Sequence, residues 1–219
     1  SFGPRIAEWA LARALASTQQ LIDLHQAQQE HWWAPRDTVM LHGSRVLVIG
    51  TGDIGTHVAR LFSALGCHVD GVSRTGRGDH SVFARLSSTN ELSSVVSGAE
   101  FIVLTVPLTA DTRGMISREL LSKCRGTFLI NAGRGAVVDE SALPEALANG
   151  WLRGAALDVF EVEPLPETSP LWSDARVMVS PHMSGLTTSA GAIAGFLECL
   201  EAIERGETPK WVVDRERGY

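Results

Sequence analysis

Apolar residues along the chain gather into short unbroken runs, each followed by a stretch whose apolar positions recur at helical spacing. Val46–Ile49 is the cleanest run. Cys67–Val72, Phe101–Val106, Thr127–Ile130, Gly154–Val159 and Arg176–Ser180 repeat the theme. Alternation is absent and β-branched residues dominate the clearest runs, the pattern of parallel strands covered on both faces. Between them, helical spacing predicts helices over 57–66, 90–97, 117–124, from Val138 to about Gly150, and over 191–205. Strands alternating with helices at short spacing predict an α/β fold with a doubly wound parallel sheet.

Ahead of the first strand, Pro4 to about Gln29 reads as one long helix, with Pro4 suited to the first turn. Ile6, Trp9, Ala10, Arg13, Ala14, Ser17, Leu21, Leu24 and His25 trace a face that is apolar early and mixed later. Small alanines along it allow close helix approach, which fits a packing helix or a hinge or dimer helix. His31-Trp32-Trp33-Ala34-Pro35 ends it as a linker. The expected organisation is a linking or dimer helix over 1–33, the doubly wound domain over 34–190, and a C-terminal helix and tail over 191–219.

The first strand runs directly into Gly50-Thr51-Gly52-Asp53-Ile54-Gly55 and then into a helix. Framed this way, Gly-x-Gly-x-x-Gly binds a dinucleotide, so 34–190 is expected to be a Rossmann-type dinucleotide-binding domain. The first glycine makes the tight turn, the second admits the pyrophosphate, and the third lets helix pack on strand. The helix N-terminus adds unpaired N–H groups and a positive dipole end. The second strand ends at Ser73-Arg74-Thr75, where an NAD site usually carries an acid for the ribose 2′-hydroxyl. A hydroxyl beside a guanidinium suits a 2′-phosphate instead. NADP is therefore favoured, with NAD possible; Arg74 and Arg77 as plain solvated loop charges is the competing reading.

A net charge of −6 argues against nucleic-acid and anionic-membrane partners. Cys67, Cys124 and Cys199 are isolated and odd in number. They read as reduced thiols of a cytoplasmic protein, with neither a disulfide frame nor a metal site. No apolar run reaches membrane-spanning length and no signal peptide is visible.

Arg134, Glu163 and His182 all follow strand ends, and in a doubly wound sheet those ends share the edge that faces the cofactor. Histidine can donate a proton when hydride reaches a carbonyl, a carboxylate beside it fixes its orientation, and arginine holds a substrate carboxylate. Singly, each has a plain structural explanation; together, downstream of a dinucleotide turn, they form a hydride-transfer site.

Four stretches carry a family resemblance: Gly50–Gly55; Asn131-Ala132-Gly133-Arg134-Gly135-Ala136-Val137-Val138-Asp139; Leu157-Asp158-Val159-Phe160-Glu161-Val162-Glu163-Pro164; and Ser180-Pro181-His182-Met183-Ser184-Gly185. In order and spacing the chain resembles the D-isomer-specific 2-hydroxyacid dehydrogenases over nearly its whole length. The resemblance implies Arg134 as the substrate-binding arginine, Glu163 as the acid paired with histidine, and His182 as the general acid/base. It implies Asp158 at the nicotinamide carboxamide. Gly50, Gly52, Asp53, Ile54 and Gly55 fall at the pyrophosphate, Ser73, Arg74 and Thr75 at the adenosine ribose, and Val106, Pro107, Ala132, Gly133, His182 and Ser184 elsewhere along the cofactor. It also implies a homodimer.

Glu163 stands where the similar formate dehydrogenases carry glutamine, which disfavours formate. Family members begin with a substrate domain much longer than the few residues before Pro4, so these residues alone are expected to turn over weakly or not at all. The tail, Lys210 to Tyr219, resembles a terminus that packs back on that domain. The expected activity is hydride transfer between NADP(H) and a 2-hydroxy or 2-oxo acid, with glyoxylate or hydroxypyruvate as candidates. Phosphoglycerate oxidation is a second enzymatic alternative. The alternative from another class is a cofactor-sensing corepressor with negligible turnover.

Overall fold

The computed structural model describes residues 2–186, 189–209 and 212. Seven parallel strands form one sheet, β1 (Arg45–Ile49), β2 (His68–Ser73), β3 (Arg85–Ser88), β4 (Phe101–Leu104), β5 (Thr127–Asn131), β6 (Leu152–Leu157) and β7 (Val177–Val179). Their order is β3-β2-β1-β4-β5-β6-β7. The chain therefore reverses direction across the sheet between β1 and β4, where Ile49 pairs with Leu104. Open α/β sheets bind ligands in the crevice at that reversal.

The unbroken apolar strands are explained by what covers them. Leu47 and Ile49 of β1 face one core together with Ile102, Leu104 and Leu129. Val46 and Val48 face a second core with Val58, Phe62, Phe101 and Phe128. Successive side chains of a strand point to opposite faces, so strands such as β1 and β4, covered by both cores, are apolar on both sides.

Helix α1 (Gly3–Thr18) lays Ala7, Ala10 and Ala14 into the second core, against α3 (Asp53–Ala64). The expected single helix to Gln29 is broken: α2 (Leu21–Gln29) starts anew after Gln20, whose φ is +50°. Residues 37–39 return to the end of α1 and impose the break. Val39 N–H donates to the Thr18 carbonyl (3.0 Å), and the Gln19 and Gln20 side-chain amides donate to the carbonyls of Val39 and Asp37. Beyond the break only Ala27 of α2 is buried, and Leu21, Ile22 and Leu24 are exposed.

The remaining helices are short: α4 (Leu92–Val95), α5 (Arg118–Leu121) and α6 (Leu143–Ala148), with α7 (Ser189–Glu204) closing the described chain. The span expected as a helix from Val138 opens instead with a 3₁₀ turn over Glu140–Ala142. The expected return of the tail, Lys210 to Tyr219, lies outside the described residues except for Val212.

Candidate active site

The glycine turn after β1 is built by close approach. Gly50 has φ +107°, and a Cβ there would lie 2.6 Å from the Thr105 hydroxyl. That hydroxyl donates to the carbonyls of Ile49 (3.2 Å) and Gly50 (3.0 Å), tying the ends of β1 and β4 together. A Cβ on Gly55 would sit 1.7 Å from the Gly50 carbonyl oxygen, so only glycine lets the first turn of α3 lie on the strand. Gly52 is different: a Cβ there would meet nothing within 4 Å. It is the N-cap of α3 and brings no side chain to the helix end.

Gly50, Gly52, Ser73, Arg74, Val106 and Pro107 line a cleft of about 930 Å³ at this point. Asp53, Ile54 and Gly55 line a neighbouring cleft of about 660 Å³ with Leu186 and Phe196. A helix N-terminus without a side-chain cap, opening into such a space, fits the pyrophosphate of a dinucleotide.

Ser73 is tied into its own turn. Its hydroxyl donates to the Arg77 carbonyl (2.8 Å) and accepts from the Arg77 N–H (2.9 Å), and the Thr51 hydroxyl donates to the same carbonyl (2.6 Å). The Ser73 side chain thus shapes the loop that brings Arg74 to the cleft. Arg74 is exposed and makes no side-chain hydrogen bond or ion pair among the described residues; Thr75 is likewise exposed.

At the other side of the sheet reversal, β6 and β7 run in register, with Leu157 opposite Val179. The residues that follow, Asp158 and Ser180–Ser184, therefore meet. Asp158 is fully buried. Its Oδ1 accepts from Ser180 Oγ (2.5 Å) and Met183 N–H (3.0 Å), its Oδ2 from Ser184 N–H (2.8 Å), and its carbonyl from His182 N–H (2.8 Å). Burial works against the charge of this carboxylate. The donors of Ser180, Ser184 and Met183 outweigh it and hold Asp158 below the usual carboxylate range. The clamp holds His182 at φ +50°, a left-handed backbone that a non-glycine residue adopts at a cost.

His182 Nδ1 lies 2.8 Å from Glu163 Oε2, and Glu163 Oε1 accepts the Phe160 N–H (3.0 Å). Burial opposes the Glu163 charge as well, but the His182 and Phe160 donors hold its carboxyl below the ordinary range. With Nδ1 given to a carboxylate, Nε2 is the ring nitrogen left to face a substrate.

Arg134 comes from the loop after β5. Asn131 folds that loop, accepting the Gly133 N–H and donating to the Arg134 carbonyl, both at 3.1 Å. Ala132 and Gly133 are buried in it, and a Cβ on Gly133 would lie 2.9 Å from the Val106 carbonyl oxygen. The Arg134 guanidinium is exposed and folds back onto the Gly133 carbonyl (2.7 Å). Among the described residues no hydrogen bond or ion pair joins it to Glu163 or His182. Their loops touch through Gly135, whose Cβ would lie 1.8 Å from the Phe160 carbonyl carbon.

The clamp made by Asp158, and Glu140, which accepts the Glu161 N–H, were not legible in the sequence. Both act on backbone N–H groups of a loop remote in the chain. The nearest available signal was the serine two residues before His182.

A family model described as D-isomer specific 2-hydroxyacid dehydrogenase, NAD binding domain, matches residues 11–184. Glyoxylate/hydroxypyruvate reductase A of Enterobacter sp. is 31% identical over 218 residues, 99% of this chain and 70% of the relative. A D-isomer specific 2-hydroxyacid dehydrogenase from Xanthobacter autotrophicus, solved with NADPH and MES, superposes with a TM-score of 0.90 at 36% identity, covering 100% of this chain and 70% of that one. The NADPH-dependent glyoxylate/hydroxypyruvate reductase of Sinorhizobium meliloti, solved with NADP and sulfate, also gives 0.90, at 30% identity and the same coverage.

Proposed function

The chain belongs to the D-isomer-specific 2-hydroxyacid dehydrogenase family, and we propose how its residues divide the work of an NADP-linked oxidoreductase of 2-hydroxy and 2-oxo acids. The bond between His182 Nδ1 and Glu163 Oε2, at 2.8 Å, carries the reading. It fixes the imidazole, and it sets a negative charge where an imidazolium benefits from it. The dinucleotide, when bound, supplies the hydride that reaches the carbonyl carbon. His182 holds a proton at Nε2 and gives it to the carbonyl oxygen, and Glu163 supports the charged ring until then. Arg134 leaves the Gly133 carbonyl to take the substrate carboxylate bidentately and polarise the neighbouring carbonyl. Asp158 keeps the His182 loop in place and lies at the nicotinamide end. Gly52 and the N-terminus of α3 receive the pyrophosphate, and Arg74 the 2′-phosphate that selects NADP(H).

Glyoxylate and hydroxypyruvate head the substrate candidates because relatives carry those names. The test is the initial rate of NADPH and of NADH oxidation by the complete native chain across a panel of 2-oxo acids. Turnover favouring NADPH is the expected result; cofactor binding with no turnover on any acid would defeat the reading.

Residues 1–33 carry the linking or dimer helix in this proposal, 34–190 the dinucleotide-binding unit, and 191–219 the returning helix and tail. A homodimer is supported by the exposed apolar side chains Leu21, Ile22, Trp32, Trp33, Val39 and Met40. Sedimentation measures it directly. A cytoplasmic setting is supported by three free cysteines.

A further inference from the structure

One half-buried acid beside the catalytic pair has no part in the chemistry above. Glu140 opens the 3₁₀ turn Glu140–Ala142, and its Oε1 accepts the N–H of Glu161. Burial pushes its carboxyl up from the ordinary value, and the charges of Glu161 and Glu163 push it further. The other charged groups facing this corner are Arg113, whose guanidinium lies 3.9 Å from Glu161, and His182 beyond Glu163. A carboxylate placed among two others, and partly out of water, is an unfavourable arrangement. What it gains there is a single backbone donor.

That donor sits at a mechanical junction. Residues 135–142 grip the Phe160–Pro164 loop twice on successive residues: the backbone of Gly135 lies against the Phe160 carbonyl, and Glu140 holds the Glu161 N–H. Within the loop, the Phe160 N–H orients Glu163 through Oε1, which leaves Oε2 for His182 Nδ1. The contacts run without a gap from Glu140 through the two peptide units that flank Phe160 to Glu163 and the imidazole. The same 135–142 segment begins beside Arg134.

We propose that Glu140 is a positioning residue: by accepting the Glu161 N–H it holds the Phe160–Pro164 loop against the Arg134 loop and so sets Glu163 on His182. The proposal rests on the acid/base reading of His182. Its test is steady-state kinetics of 2-oxo acid reduction by the complete native chain carrying E140A, E140Q or E140D, with NADPH affinity measured separately. In E140A, kcat falls about tenfold, a modest share of what misplacing a catalytic group can cost. NADPH affinity stays as in wild type, so the loss falls on kcat and not on cofactor binding. E140Q recovers most of the rate, since its amide oxygen still accepts from Glu161. E140D keeps the charge, falls short of the N–H, and resembles E140A. Should E140A fail to fold, the contrast between E140Q and E140D carries the test.

A wild-type rate in E140A, an E140Q no better than E140D, or an NADPH affinity that falls in step with kcat would each overturn the proposal. Wild-type protein without turnover would overturn the acid/base reading and this proposal with it, an outcome separate from a variant that matches a working wild type.

Discussion

Replacing Asp158 by asparagine removes one charge and one acceptor from a fully buried position. If the asparagine oxygen keeps the place of Oδ1, Ser180 Oγ and Met183 N–H retain a neutral acceptor, and the new NH₂ group faces the Ser184 N–H across what is now a 2.8 Å contact between donors. If it keeps the place of Oδ2, the Met183 N–H is stranded against the NH₂ group, while the Ser180 hydroxyl can turn to accept from it. Either way at least one hydrogen bond to a charged acceptor is lost, worth about 1.5–3 kcal/mol, and a buried donor is left without a partner at about 1–3 kcal/mol. D158N should therefore lose about 3–5 kcal/mol of unfolding free energy at neutral pH, a large part of what a domain has.

The pH dependence discriminates. The folded protein holds the Asp158 carboxyl below its ordinary value, so its contribution is complete above the unfolded value of about 3.9 and fades as pH falls through the lower folded value. Urea unfolding of both proteins from pH 7 towards pH 3 should show a difference that is constant at first and then shrinks in the acid range. A gap that stays constant to the lowest pH at which both fold, or a loss under about 1 kcal/mol at pH 7, would refute the clamp.

Further outcomes are expected at the site. H182N should abolish 2-oxo acid reduction while NADPH still binds, as read by the fluorescence of the bound nucleotide; retained turnover would remove the acid/base assignment. R74A should weaken NADPH about tenfold or more, the scale of one hydrogen bond to a charged group, and leave NADH nearly unchanged; equal losses would show that Arg74 makes no contact with a 2′-phosphate. G52A and G55A should part company in paired thermal-shift and NADPH titrations. Nothing within 4 Å opposes a methyl at Gly52, so G52A should melt like wild type but bind NADPH poorly, whereas a methyl at Gly55 meets the Gly50 carbonyl at 1.7 Å and should destabilise the fold itself. Normal NADPH binding by G52A would contradict the placement of the pyrophosphate.

Six of the seven strands can be read from the chain, β1 and β4 most plainly, because a strand covered on both faces becomes an unbroken apolar run. β3 escaped for the converse reason: Arg85-Leu86-Ser87-Ser88 is an edge strand with a single large apolar residue. The break between α1 and α2 escaped because it is made by residues 37–39 arriving from farther along the chain. Glu163 and His182 were legible as a pair, since they are chemically unusual residues at strand ends, and they do meet. Ser73, Asp158 and Glu140 were legible only as residue types. What each holds is set by backbone N–H and carbonyl groups of another loop, and no spacing rule records that.

The all-parallel sheet also has a kinetic side. Val46 of β1 pairs with Phe101 of β4, across two intervening strands, β2 and β3, and the helices α3 and α4, and the glycine turn takes its final shape from Thr105 after β4. Pairings this distant form late, because loop closure must precede any reward from contact. The glycine turn therefore lacks its final shape on a nascent chain that has made only β1, the turn and α3. Added nucleotide can only hold the finished protein together: it should slow unfolding and raise the melting temperature while leaving the refolding rate unchanged.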